Sequence, residues 1–458
     1  MVRSAPLLTR ALPSGLLAAL LVGGAVLPAG PANAGTGATP PAAVVSAARY
    51  GAGWLARLIA TAGGHVPSDP TKPTTSAADA SGTADAVLAL HAAGVGAAAA
   101  EAALSWLEAN FEGYVRVSGA DVPGALAKVI LVAHATGTNP RAFGSSAASA
   151  NLVARLLATQ RRGGPDAGLF GSQDPTYDGA YRQGLALLAL AAVGRTDAAA
   201  VRWLKGQQCA NGGWMSYRAD TSVPCPAVDP AAFAGPDTNS TALAFQGLLA
   251  VGAAPSADPL TFLATVQSDD GGWAYFSGPS TAADPNSTAL VIQALLAAGQ
   301  DPSAARWVAG GATPYAALVR FSLGCGAPAG DRGAIYFDVG DGTRKPNVLA
   351  TVQAVPAAAG RYFPLAASMP SAEVPAPACA APTPTPSATP SATPSASPTT
   401  SPTSSGGPVP SASPSTQATL PDTGPRVDLR LLIAVGAALM LAGGTLLLVA
   451  RPAGGRGR

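Results

Sequence analysis

The sequence predicts an all-α domain of six helix pairs that close into a double ring. A disordered Pro/Ser/Thr stalk and a C-terminal transmembrane helix follow it. Three observations carry this reading. The first is internal repetition, which dictates architecture before any local pattern does. Asp237-Thr238-Asn239-Ser240-Thr241-Ala242-Leu243 opens an apolar run ending at Gly252, and Asp284-Pro285-Asn286-Ser287-Thr288-Ala289-Leu290 opens an equivalent run ending at Gly299. The two sixteen-residue units are identical at eleven positions. The second is that alternate helices differ in kind. Ala242-Leu243-Ala244-Phe245-Gln246-Gly247-Leu248-Leu249-Ala250 is apolar nearly all round and must be buried on every face. Arg202-Trp203-Leu204-Lys205 and Ala304-Ala305-Arg306-Trp307 each keep a charged face for water. The third is the lack of any alternating β-branched run in the sequence.

In order along the chain, Arg3 and Arg10 precede an apolar stretch over 11–27, and Ala32-Asn33-Ala34 supplies small-x-small residues. This is a secretory signal over 1–34, with cleavage before Gly35. The helical domain takes 35–374. Its predicted pairs are 44–61 with 83–93, 98–111 with 123–136, 147–159 with 181–193, 197–208 with 240–251, 257–267 with 287–298, and 303–323 with 347–358. One outer and one inner helix per pair, repeated, bury a continuous core only by stacking on their neighbours. Charged residues are 11% of the chain and the net charge is +2, so there is no electrostatic case for nucleic acid.

Export makes the four cysteines candidates for disulfides. Of the three pairings, Cys209–Cys225 with Cys325–Cys379 is favoured, because each pair closes a loop within or just after one repeat. A zinc site is the alternative, but no Cys-x-x-Cys or nearby His supports it. No metal site and no cofactor is predicted.

Residues 375–419 are almost only Pro, Ser, Thr and Ala. Such a stretch cannot bury enough apolar area to fold, and its prolines favour extended polyproline II. Leu420-Pro421-Asp422-Thr423-Gly424 follows, then an apolar span over 431–450, then Arg451, Arg456 and Arg458. The span is long enough to cross a bilayer and the arginines hold its end inside. This arrangement over 420–458 resembles the sortase sorting signal of Gram-positive surface proteins. The resemblance implies cleavage between Thr423 and Gly424 and covalent attachment to peptidoglycan. The partners it implies are sortase and the wall, with membrane contact only through the C-terminal helix before cleavage.

Each repeat unit is preceded by a further shared signature, Gln208-Cys209-Ala210-Asn211-Gly212-Gly213-Trp214 and Gln267-Ser268-Asp269-Asp270-Gly271-Gly272-Trp273. Gln-x3-Gly-x-Trp resembles the QW repeat of the terpenoid cyclase and protein prenyltransferase superfamily. Gly168-Leu169-Phe170 and Gly333-Ala334-Ile335-Tyr336 are similar to degenerate copies. The resemblance covers roughly 42–365 and implies an α6/α6 toroid of six helix hairpins. On physical grounds the glycines end a helix abruptly and Trp packs on the turn. A bolder reading makes Trp214, Trp273 and Tyr275 an aromatic ligand surface.

The resemblance also implies chemistries whose residues can be sought. Class II cyclases protonate an alkene with the acid of Asp-x-Asp-Asp-Thr-Ala. Here Asn239-Ser240 and Asn286-Ser287 stand in place of the two acidic groups, and neither an amide nor a hydroxyl is such an acid. Prenyltransferase zinc would need Asp, Cys and His, but His65, His91 and His134 lie far in sequence from every cysteine. Gly324-Cys325-Gly326 lacks the Gln of complement-type thioesters. The vitamin B12 carriers share the toroid but need a second domain that is not found here.

Asp178 and Arg182, with Tyr181, form a polar group that Asp121, Asp237 and Asp284 could join; the catalytic candidates among them are Asp178, Arg182, Asp237 and Asp284. The simpler reading of all four aspartates is helix N-capping. Capping does not explain Gln246 and Gln293, seven residues after Asn239 and Asn286 on the same helix faces. These four residues form a polar stripe facing a central cavity, which Gln353 extends, or else the glutamines tie to neighbouring turns. The expected function is binding of an unknown small-molecule or glycan ligand, apolar and isoprenoid- or cofactor-like, without cyclase chemistry. The alternatives are an enzyme on isoprenoid or glycan substrates, and an adhesin or structural wall protein.

Overall fold

A computed structural model describes residues 38–144, 151–171, 178–338 and 342–379. The signal segment, Thr423 and Gly424 of the sorting motif, the span over 431–450 and all of the stalk beyond Cys379 lie outside the described residues. So does the start of the expected 147–159 helix.

Twelve of the thirteen α-helices among the described residues alternate between two layers; the other is a single turn, Glu112–Val115. The odd-numbered, outer ones are α1 (Ala42–Thr61), α3 (Ala97–Asn110), α5 (Leu152–Ala158), α7 (Ala198–Gly206), α9 (Pro259–Thr265) and α11 (Pro314–Val319). The even-numbered, inner ones are α2 (Ala80–Ala93), α4 (Pro123–Thr136), α6 (Ala180–Ala192), α8 (Thr238–Ala250), α10 (Pro285–Ala297) and α12 (Val348–Ala358). Each inner helix packs on the next, and α12 packs back on α2, so the inner layer is a closed ring. The outer helices lie against it, α1 covering the α12–α2 joint. The ring was legible because inner helices bury nearly every side chain: in α4 all residues from Pro123 to Ala133 are buried.

The helix ends follow their sequences. Asp79, Asn151, Asp197, Asp237, Asp258, Asp284, Thr313 and Asn347 each accept a backbone N–H of the first turn. Every inner helix is followed by a left-handed glycine, at 94, 137, 194, 252, 299 and 360. Helices α6 and α8 approach closely because Gly184 and Gly247 face each other. A Cβ on Gly184 would meet the Leu243 carbonyl oxygen at 2.2 Å.

Three expectations need correction. The outer helix expected over 303–323 is broken into a 3-10 turn, Ala305–Trp307, and α11. Gly310 and Gly311, both left-handed, reverse the chain, and Pro314 restarts the helix at its first position. The domain is not purely helical. A two-residue hairpin, β1 (Arg116–Val117) with β2 (Ala120–Asp121), turns at Ser118 and Gly119, both at positive φ, as a two-residue hairpin turn requires.

The packed chain also runs past 374. Residues 361–379 form a strap across one end of the ring: Ser368 N–H donates to Ala135, Ser371 N–H to Gly94, and Gly96 N–H to Glu373. Arg49 pairs with Glu373, and Arg57 donates to the Pro375 carbonyl at 3.3 Å. Both expected disulfides, Cys209–Cys225 and Cys325–Cys379, are formed, the second tying the strap's end to the loop after α11. Among the described residues no helix is long and apolar enough to cross a membrane.

Candidate functional site

The repeated turns bolt the ring together. Gln208 Nε2 donates to Gly212 within its own turn and to Ala257 at the start of the next pair, both at 2.9 Å. Gln267 does the same to Gly271 at 2.9 Å and Trp307 at 2.8 Å. The Trp214 and Trp273 indole N–H groups donate to Leu204 and Leu263 carbonyls, each at 2.8 Å. Both rings are fully buried and offer no face to a ligand. Tyr275 is half-buried, its ring edge-on to Phe276, and its hydroxyl lies against the Asp237 carboxylate.

The aspartates divide. Asp237 and Asp284 cap α8 and α10, accepting the Ser240 N–H at 2.6 Å and the Ser287 N–H at 2.7 Å. Burial pushes the Asp237 carboxyl up to about 7 and Asp284 up to about 6, against the pull of those hydrogen bonds. Asp121 and Asp178 are not caps. Val122 and Gly179 occupy the cap positions without a side-chain bond, while Asp121 forks onto Arg155 and Asp178 pairs with Arg182 at 3.3 Å.

The ring axis holds a cavity of about 60 Å³ to which all six inner helices contribute. Space of that size takes on the order of five waters. Its polar lining is Asp85, Tyr114, Lys128, Tyr181, Arg182, Gln293 and Gln353, set among leucines, with Phe363 reaching in from the strap. Lys128 Nζ donates to Asp85 at 2.7 Å and to Ser81 at 3.0 Å. Burial works against both charges, raising Asp85 and pulling on Lys128. The Asp85 contact offsets that pull and holds the ammonium above the ordinary lysine value.

The structure brings together only part of the expected stripe. Gln293 and Gln353 line the cavity. Gln246 lies between helices, its Nε2 reaching the Leu290 carbonyl at 3.5 Å, and Asn286 is buried. Asn239 is half-buried and accepts from Thr238 at 3.3 Å. The amide oxygens of Gln246, Asn286, Gln293 and Gln353 are buried without a hydrogen-bond partner. Asp85, Lys128, Tyr114 and Phe363 were not among the expected site residues. A lone lysine at 128 inside an otherwise apolar helix was the available signal, since lysine is almost never fully buried unless paired.

A second space of about 280 Å³ adjoins the first at the N-terminal ends of α2 and α12. Ser68, Asp79, Ser81, Pro346, Asn347 and Leu349 line it, and it shares Asp85 and Val352 with the axial cavity.

No protein-family model matches the chain, and no curated protein matches it. Among solved structures, the chain is distantly similar to ent-copalyl diphosphate synthase from Streptomyces platensis. That match has 19% identity and a TM-score of 0.37, over 61% of this chain and 49% of that one. The chain thus spans about half the length of that relative. It is also similar to the type II terpene cyclase MstE from Scytonema, at 15% identity and a TM-score of 0.44, over 70% of this chain and 98% of that one.

Proposed function

We propose that this is an extracellular, wall-anchored binding protein whose toroid holds a small ligand on the ring axis without cyclase chemistry. One observation carries the reading: amide oxygens of Gln293 and Gln353, on two different inner helices, are buried at the axial cavity without partners. Burying an unpaired polar group costs about 1–3 kcal/mol. An incoming molecule that supplies donors to these oxygens relieves that cost. The two disulfides are consistent with an oxidising, extracellular setting. The sorting-signal resemblance of Leu420-Pro421-Asp422-Thr423-Gly424 supports attachment to the wall. Against cyclase chemistry stand Asn239-Ser240 and Asn286-Ser287, where the acid would be needed.

A second reading, acid–base catalysis, has one observation behind it: Asp237 and Asp284 are raised towards neutrality on either side of Tyr275. Both carboxylates are committed to helix N–H groups, so binding is the better reading. The test is native mass spectrometry of the full chain exported from a Gram-positive host, with organic extraction of the purified protein. A stoichiometric bound small molecule is expected. Protein that emerges empty, and stays empty with terpenoid, corrinoid and glycan panels, would overturn it.

A further inference from the structure

The axial cavity and the groove beside it differ in chemistry, and the difference identifies what enters. The groove lies between the N-terminal ends of α2 and α12 and meets the cavity at Asp85 and Val352. Deep in the cavity, particular acceptors lack donors, although Lys128, Arg182, Tyr114 and Tyr181 line it too. Gln293 Oε1 and Gln353 Oε1 have no donor. A third acceptor is built into the backbone. Pro356 sits inside α12 and has no N–H to give to the Val352 carbonyl four residues back, so α12 lacks that hydrogen bond at the cavity wall. The fixed positive charges there, Lys128 and Arg182, are engaged by Asp85 and Asp178.

Each head group can be weighed against this set. A carboxylate brings only acceptors, leaves both amide oxygens unpaired, and finds Lys128 and Arg182 already engaged. An ammonium brings donors, but Asp85 and Asp178 are already engaged by Lys128 and Arg182, so its charge would be buried without a counter-ion of its own. A neutral hydroxyl donates to an amide or carbonyl oxygen and carries no charge. The leucines around these groups suit an apolar body, and the larger groove outside has room for what the cavity does not hold.

We infer that the ligand is a neutral alcohol with an apolar body, which enters head-first through the groove between α2 and α12 and places its hydroxyl among Gln293, Gln353 and the Val352 carbonyl. This rests on the axial binding reading above, and names its ligand class and route.

The experiment uses the full exported chain and three probes with one tail: octanol, octanoate and octylammonium, each titrated calorimetrically. Octanol is expected to bind at least tenfold more tightly than either charged probe. Gln353→Leu should weaken octanol by roughly five- to tenfold, the effect of one lost hydrogen bond. Pro356→Ala, which restores the helical donor to Val352 and should fold at least as well as the parent, should weaken it too. Leu349→Trp, at the groove, should slow association by about tenfold or more while leaving selectivity among head groups intact. Tighter binding of octanoate or octylammonium would overturn the alcohol assignment. Octanol binding unaffected by both Gln353→Leu and Pro356→Ala would remove the proposed contacts. An unchanged association rate in Leu349→Trp would remove the route. If none of the three probes binds while extraction yields a bound molecule of another class, this inference fails and the binding reading stands. If extraction also yields nothing, both fail.

Discussion

Trp273 and Thr288 are joined twice. The Trp273 backbone N–H donates to Thr288 Oγ1 at 3.0 Å, and that hydroxyl donates back to the Trp273 carbonyl at 3.1 Å. The N–H bond recurs around the ring. Val66 meets Thr83 at 2.9 Å, Trp214 meets Thr241 at 2.9 Å, and Ile335 meets Thr351 at 3.0 Å. In the third pair Gln183 Oε1 takes the Phe170 N–H at 2.9 Å. The side chain involved is always four residues after the helix cap position.

These bonds fix where each turn enters its inner helix. Thr288→Val keeps the shape and deletes the hydroxyl, leaving a buried N–H unpaired. It should cost about 1–3 kcal/mol, read as a lower urea midpoint, whereas Thr288→Ser should cost clearly less. Equal midpoints for the two variants would show that the hydroxyl contributes packing alone.

This recurrence marks what was legible in the sequence. The α8 and α10 units announced themselves because cap, threonine and QW turn all survive there. At α2 only cap and threonine remain, Asp79 with Thr83, and before α12 the turn is the degenerate Gly333-Ala334-Ile335-Tyr336, with Asn347 and Thr351; α2 is accordingly expected three residues late. Of the stripe residues, Gln246, Asn286, Gln293 and Gln353 are buried and Asn239 is half-buried, and helix periodicity cannot say which of them reach the axis. The Lys128–Asp85 pair joins residues 43 apart on separate helices, so no local pattern shows it. Only residues 375–379 of the strap fall in the expected stalk, where composition already shifts towards Pro and Ala; that 361–374 crosses the ring was not legible, because its hydrogen bonds to Gly94 and Gly96 exist only once the ring has closed.

Asp237 makes stability depend on pH in an unusual direction. Its carboxyl titrates at about 7 when folded, against an ordinary 3.8. The folded state therefore binds the proton more tightly, and this contribution is full below about pH 4 and lost as pH rises through 7. A shift of about three units corresponds to on the order of 4 kcal/mol. Asp237→Asn keeps an acceptor for the Ser240 N–H and cannot ionise. Its stability relative to the parent should rise between about pH 4 and pH 7 and level off above that in urea titrations. His91 and His134, both lowered by burial, act in the opposite sense but are common to both proteins and cancel. A constant difference across that range would mean that Asp237 stays ionised.

The strap should depend on Cys325–Cys379. That bridge closes a separation of 54 residues, and Cys209–Cys225 one of 16. Chain-entropy reasoning gives about 4 kcal/mol for the larger loop and about 3 kcal/mol for the smaller. Replacing both Cys325 and Cys379 with Ser should lower stability more than the same change at Cys209 and Cys225. It should also speed hydrogen exchange at Gly96 and Ala97, whose N–H groups donate to the strap at Glu373 and Ser371. Exchange at those two amides unchanged by loss of the bridge would show that the strap holds itself in place.

The Lys128–Asp85 pair tests whether the axis is kept polar at a cost to stability. The lysine is almost wholly buried, with a 2.7 Å contact to a carboxylate that is itself mostly covered. Breaking such a pair leaves an uncompensated charge, so Lys128→Met should destabilise by about 3–5 kcal/mol. The loss should grow with pH, because Asp85, already raised by burial, loses the cation that opposes the shift and rises further. Combining Lys128→Met with Asp85→Leu removes both charges and should restore stability to the parent level or above it, as apolar replacement of buried ion pairs often does. A double variant as stable as the parent that no longer retains the axial ligand would show that the pair is kept for binding. One as unstable as the single change would make the pair a structural necessity of the ring.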